Sequence, residues 1–189
     1  MEEVDDELHI GVEADMDEMK DFMHWCLDNA KDELETREGV SLVAFVRPRQ
    51  DTKLTKGLDL DSNKKPMAAI PYQHEGGEDL WYAAVGGFVN EFGAEFAIMI
   101  AEAWYNEGSF DDLAEGEMPI PPSQDPNRKE CISIQGISYD ATGLIIGQVT
   151  LMQPFEKKGR KVEYFDLVTL DNGEFDSKLA RATINQDLV

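Results

Sequence analysis

Glu102 is the residue of this sequence whose surroundings point most directly to chemistry. It lies in an apolar run over residues 94–105 and shares one face of a predicted strand with apolar side chains. A carboxylate in such surroundings needs a partner or becomes protonated. We expect a structural ion pair between Glu102 and Arg128. The alternative is a catalytic carboxylate cluster with Asp111 and Asp112, which could bind Mg²⁺ or Mn²⁺.

Two other stretches contain metal-binding residue types, but the residues do not have the spacing that a metal site requires. A calcium-loop pattern begins at Asp59, but Lys64 occupies its glycine position and Ile70 its final glutamate position. His74 precedes a predicted helix without the second histidine, one turn away, that a zinc protease motif requires. His74 is a catalytic candidate beside Glu102, Asp111 and Asp112. The sequence predicts no dedicated metal site and no cofactor.

The charge of the chain restricts its partners. Acidic residues number 39 and basic residues 17, which gives a formal net charge of −22. Residues 1–40 contain fifteen carboxylates and three basic side chains. Such a field repels nucleic acid and anionic membranes and favours basic protein surfaces. Adaptation to high salt is a competing explanation that the sequence leaves open.

The acidic residues of this region are arranged on a predicted amphipathic helix. It starts near Asp15 or Asp17 and ends at Gly39, and residues 1–13 before it are expected to be a mobile acidic leader. One side repeats apolar residues at helical spacing: Met16, Met19, Phe22, Met23, Cys26, Leu27, Ala30 and Leu34. The opposite side carries the candidate partner-binding residues, which we call the acidic face: Asp17, Asp21, Asp28, Asp32 and Glu35.

Two long connections carry opposite charge. The connection over residues 48–77 is punctuated by proline and glycine and is basic. Together with the end of the preceding strand it offers a possible counter-surface for the acidic face: Arg47, Arg49, Lys53, Lys56, Lys64 and Lys65. The connection over residues 106–129 is acidic. Connections of this length inside a compact domain are often functional.

The remaining pattern predicts an α+β fold for a single domain over residues 14–189. A second helix is expected over residues 78–92, and about five strands over residues 40–47, 95–105, 130–139, 144–153 and 162–170. The order is α-β-α-β-β-β-β. We expect one mostly antiparallel sheet with both helices packed on a single face.

Cysteine usage and the N-terminus indicate a cytoplasmic protein, in the host cytoplasm if the protein is viral. Cys26 and Cys131 fall on an apolar helix side and in a strand, so buried free thiols are expected. The first residues are acidic, unlike the basic start of a signal peptide. No apolar run reaches the length of a membrane span.

One stretch resembles a known pattern. The letters E-A-W at residues 102–104 are followed by P-S-Q-D-P-N-R-K-E at residues 122–130. This is similar to small uncharacterised prokaryotic and phage proteins, in which an E-A-W strand end precedes P-S-x-x-P-x-R-x-E. The resemblance covers residues 102–134. It implies a shared strand–loop–strand unit, with a turn at Pro126 and Asn127, and it implies no activity.

These observations favour a non-catalytic acidic interaction protein, of phage origin if the resemblance holds. Its partner would be a basic protein surface, and its sharpest form would be an inhibitor that mimics DNA. Direct binding of nucleic acid or membrane is not expected. Two alternatives stay open: a self-assembling structural subunit that binds a second copy of itself, and a metal-dependent hydrolase or nucleotide-handling enzyme that uses Glu102, Asp111 and Asp112.

Overall fold

Seven strands form one antiparallel sheet, and two helices pack against it, in the part of the chain that the computed structural model describes: residues 5–37, 39–49, 67–72, 77–105 and 124–171. The elements are α1 (Asp5–Arg37), β1 (Val43–Pro48), β2 (Ala68–Pro71), α2 (Gly77–Phe92), β3 (Ala94–Tyr105), β4 (Lys129–Tyr139), β5 (Ile145–Lys158), β6 (Lys161–Tyr164) and β7 (Val168–Asp171). The strand order is β2-β1-β3-β4-β5-β6, and β7 also pairs with β5.

The α+β class and the antiparallel sheet are confirmed, but the sheet has more strands than the predicted five. The additional strand β2 lies inside the connection predicted over residues 48–77 and pairs with β1 at one edge of the sheet. The strand predicted over residues 162–170 is divided into β6 and β7, which both pair with β5.

The prediction that both helices share one face of the sheet is wrong. Phe96 and Ile98 of β3 belong to the core under α1, whereas the alternate residues Ala97 and Met99 belong to the core under α2. Successive side chains of a strand point to opposite faces, so α1 and α2 cover opposite faces. The physical reason is that β3 is apolar on both faces, and each apolar face requires a cover.

Helix α1 approaches the sheet closely above two glycines. A Cβ atom added to Gly136 would lie 2.5 Å from the sulfur of Met23, and one added to Gly147 would lie 2.6 Å from the sulfur of Met16. The absence of side chains there lets the flexible methionines fill the gap. The helix begins at Asp5, earlier than predicted, and includes residues 5–13 of the predicted leader.

The break between β6 and β7 has a local cause in β5. Pro154 lies opposite Phe165 and accepts a hydrogen bond from its backbone N–H at 3.0 Å, but a proline has no N–H to return. The buried amide Nε2 of Gln153 instead donates to the carbonyl of Phe165 at 2.6 Å. A side chain therefore supplies the hydrogen bond that the backbone of Pro154 lacks, at the point where regular pairing stops.

Both cysteines are free and buried, as the sequence predicts. Cys26 packs in the core under α1, and Cys131 lies in β4 on the opposite side of the sheet. Burial raises the pKa of the Cys26 thiol to about 12, and burial and the charge of Glu102 raise that of Cys131 to about 11. Neither α1 nor α2 is long and apolar enough to cross a membrane.

Candidate interaction surface

The acidic face of α1 is a continuous exposed surface. All five of its carboxylate residues are exposed, while Met19, Met23, Leu27 and Ala30 on the other side of the helix are buried. At 3.6 residues per turn, the five carboxylates lie within a sector of about 60° around the helix axis. They extend over about 27 Å along it, at a rise of about 1.5 Å per residue. The structure therefore presents these five carboxylates on one exposed side of α1.

Most of the acidic face lacks a counter-charge within the described ranges. No hydrogen bond or ion pair in these ranges involves Asp17, Asp21 or Asp28. The lysines of this part of α1 lie to one side and contact the edge of the sheet. Lys20 Nζ is 3.5 Å from Asp171 Oδ1, and Lys31 Nζ is 5.2 Å from the ring centroid of Tyr164. Their charges are directed away from the acidic face.

The C-terminal end of the acidic face contacts β6. The hydroxyl of Tyr164 donates to the carbonyl of Lys31 at 3.3 Å. Burial raises the pKa of Tyr164 to about 12, and the negative charges of Glu35 and Asp32 contribute to the rise. Tyr164 is therefore a neutral hydrogen-bond donor at physiological pH. Asp32 and Glu35 have a structural neighbour that Asp17, Asp21 and Asp28 lack.

Trp25 adjoins the acidic face and was missed in the sequence. Its side chain is 54 % exposed, although tryptophan is rarely so accessible. The ring stacks on Phe22, with 5.1 Å between ring centroids and 24° between ring planes. The available sequence signal was its position, because Trp25 lies outside the repeat of apolar residues that packs on the sheet.

The first two residues of the predicted basic counter-surface are engaged within the fold. Arg47 is buried under α1, where it pairs with Glu18 and its guanidinium lies 4.8 Å from the ring centroid of Phe96. Arg49 is half-buried and donates from Nε to the carbonyl of Ala94 at 3.2 Å. Both side chains are therefore bonded to neighbouring elements of the fold. The remaining members lie outside the described residues: Lys53, Lys56, Lys64 and Lys65.

Glu102 is an ion-pair residue, but its partner differs from the prediction. Its Oε1 lies 3.2 Å from Lys157 Nζ in β5, and its Oε2 accepts a hydrogen bond from the backbone N–H of Val40 at 3.3 Å. Arg128 instead lies over the ring of Trp104, 4.1 Å from its centroid. The sheet register explains why Lys157 replaces Arg128 as the partner. Glu102 of β3 lies opposite Ile132 of β4, and the pairing of β4 with β5 places Lys157 on the same face of the sheet as Glu102.

The other catalytic candidates cannot be placed beside Glu102. His74, Asp111 and Asp112 lie outside the described residues. Within the described ranges, no three His, Cys, Asp or Glu side chains are grouped as metal ligands would be. The carboxylate of Glu102 is engaged by a cation and a backbone donor.

The stretch over residues 102–134, which resembles the prokaryotic and phage pattern, contributes to a groove that the sequence did not predict. The predicted turn is present, since the N–H of Arg128 donates to the carbonyl of Asp125 at 3.2 Å across Pro126 and Asn127. Behind it lies a groove of about 810 Å³ at the end of β3, β4 and β5. Three of its lining side chains are exposed and apolar: Trp104, Phe165 and Val168.

A hairpin turn rich in basic residues connects β5 and β6. Gly159 there has a positive φ of 65°, which the tight turn requires. Lys158 Nζ lies 3.4 Å from Glu156 Oε2 and is also bonded to Glu163. Hydrogen bonds to these two carboxylates raise the pKa of Lys158. The lysine is thereby paired within the hairpin, so the tip is less positive than its sequence indicates.

Comparison of the chain with protein-family profiles, with curated proteins and with solved structures found no match.

Proposed function

We propose that this chain is a non-catalytic interaction protein whose acidic face binds a basic protein surface. The observation that carries the proposal is the exposed position of Asp17, Asp21 and Asp28 without a counter-charge among the described residues. An unpaired set of like charges attracts an oppositely charged surface and accelerates its association. The engagement of Glu102 by Lys157 supports the absence of a role in catalysis.

The density of charge bears on the form of the partner. Five carboxylates over about 27 Å amount to one charge per about 5 to 7 Å. One strand of DNA carries one charge per about 3.4 Å, so the acidic face is less dense than a nucleic-acid strand. An inhibitor that mimics DNA therefore requires further carboxylates beside this face. Competition between the protein and duplex DNA for the same partner measures whether this form applies.

The test compares two triple variants that change the net charge equally. One neutralises the acidic face (Asp17→Asn, Asp21→Asn and Asp28→Asn), and the control neutralises exposed carboxylates of α2 on the opposite face of the sheet (Glu78→Gln, Asp79→Asn and Glu91→Gln). A basic partner is first captured from lysate at low salt, purified and titrated with each protein. We expect about tenfold weaker binding for the α1 variant, at about 0.5 kcal/mol per exposed charge pair.

Salt dependence provides the second measurement. Raising the salt from about 0.01 M to about 1 M shortens the Debye length from about 30 Å to about 3 Å, so binding through exposed charges must weaken strongly. Affinity that does not change with salt contradicts the proposal. Equal weakening in the α1 and α2 variants contradicts it as well, because net charge rather than the acidic face would then be responsible.

A further inference from the structure

Trp25 is held as a rigid aromatic platform at the surface of α1. Its ring stacks on Phe22, and Phe22 meets Phe45 of β1 edge-on, with 5.5 Å between centroids and 80° between planes. This series of rings connects an exposed side chain to the core of the sheet. An aromatic ring fixed in this way offers a large contact area at a small cost in conformational entropy.

One face of the Trp25 ring borders the acidic face. At about 100° per residue, Phe22 lies on one side of Trp25 around the helix axis, and Asp21 and Asp28 lie on the other. Asp21 precedes Trp25 by four residues and Asp28 follows it by three, so both are its neighbours on the helix surface. Phe22 covers one face of the ring, and no other aromatic side chain among the described residues contacts Trp25.

We propose that this platform receives an arginine side chain of the partner, with the guanidinium over the Trp25 ring and its N–H groups directed at Asp21 and Asp28. The inference rests on the proposed function and specifies the chemistry of the partner. Arginine is the cation most often found over aromatic faces, and its planar fork also matches carboxylates. Lysine offers a point charge without this planar fit.

The chain itself shows the same arrangement. The guanidinium of Arg128 lies 4.1 Å from the ring centroid of Trp104, which is also exposed. Arg47 combines both contacts inside the fold, because it lies over Phe96 and pairs with Glu18 of α1. An aromatic ring beside a carboxylate on α1 therefore already binds one guanidinium within the molecule. At Trp25 the ring and the carboxylates are exposed, and no guanidinium of the described residues lies over the ring.

The experiment compares hexa-arginine with hexa-lysine, which have equal length and charge. Binding of each peptide to the full chain at low salt is measured by calorimetry, and the ratio of the two affinities is taken for every protein. Trp25→Leu keeps apolar bulk and removes the ring, whereas Trp25→Phe keeps a ring. The control is Leu80→Ala, which removes an exposed apolar side chain from α2. Circular dichroism confirms that each variant is folded.

We expect Trp25→Leu to lower the arginine-to-lysine ratio about two- to fivefold, as an exposed cation–π contact requires. Trp25→Phe should retain much of the preference, and Leu80→Ala should retain all of it. A ratio that is unchanged in Trp25→Leu overturns the inference, while salt-dependent binding of both peptides still supports the acidic face. If neither peptide binds the unaltered chain, both proposals fail. A low-salt dimer that Trp25→Leu dissociates would assign the ring to a second copy of the chain, and would also overturn the inference.

Discussion

Gln153 and Pro154 should be energetically coupled, because one supplies the hydrogen bond that the other cannot. Gln153 is buried, and its Nε2 lies 2.6 Å from the carbonyl oxygen of Phe165. Gln153→Met keeps the length of the side chain and removes the donor. The Phe165 carbonyl then faces a proline without an N–H, so the free energy of unfolding should fall by about 2 kcal/mol. In a chain of this size, that corresponds to a melting temperature lower by about 4–8 °C.

The second perturbation restores the missing backbone donor. Pro154→Ala alone should destabilise the protein by about 0.4–1 kcal/mol, because the unfolded chain gains freedom while Gln153 already serves Phe165. In the Gln153→Met background, the new N–H of Ala can donate to the Phe165 carbonyl and recover about 1 kcal/mol. The double variant should therefore be more stable than the sum of the single effects by about that amount.

Urea unfolding, followed by circular dichroism, measures the four proteins of this cycle. A control cycle combines Pro154→Ala with Glu156→Gln, an exposed residue of the same strand, and its effects should add. Additivity within about 0.5 kcal/mol in the Gln153 cycle as well would refute the reasoning. The break between β6 and β7 would then need another cause than the proline.

Two further predictions concern charge. The double variant Asp21→Asn with Asp28→Asn should raise the free energy of unfolding by about 0.4–1 kcal/mol. It removes the like-charge pairs that these residues form with Asp17 and Asp32 at i,i+4. Urea unfolding measures the gain, which should shrink at high salt. The hydroxyl and backbone of Thr142 lower the pKa of Asp140. The stability that this carboxylate adds is thus present above its ordinary pKa of about 4 and lost as pH falls through the lower pKa of the folded state. The urea midpoints of the unaltered chain and of Asp140→Ala should therefore converge only below about pH 4.

The core side of α1 could be predicted because helical periodicity is a local property. Met19, Met23, Leu27 and Ala30 recur at the spacing of one helix side, and all are buried. The partner of these residues could not be predicted. The close approach at Gly136 depends on the register of two strands that lie far along the chain from α1.

The arrangement of the two helices follows from the sequence of β3. Its residues are apolar on both faces, which is typical of a central strand, and each apolar face needs a cover such as a helix. The short strand β2 was hidden in the sequence. Its four residues end at Pro71, and a proline weakens any strand pattern and restricts it to an edge.

The candidate interaction surface was also predictable only where it depends on local sequence. Exposure of Asp17 or Asp28 follows from helix periodicity alone, so the acidic face was predictable. The partner of each basic side chain was not predictable, because these contacts join residues that are distant in the sequence. Arg47 meets Glu18 of α1, and Lys157 rather than Arg128 meets Glu102. Nothing in the spacing of these residues indicates the pairs.

These pairings determine which basic residues can balance the acidic face. Arg47 and Lys157 are held by carboxylates of neighbouring elements, and Arg49 donates to backbone carbonyls, so these cations do not neutralise the acidic face. A general adaptation to salt would require only that acidic residues cover the surface. It would not require an exposed Trp25, held by stacked rings, beside like charges that oppose helix formation at i,i+4. A combination that costs stability and exposes a large aromatic ring is typical of a binding surface. Under the proposed function, the partner supplies the cations that balance this surface.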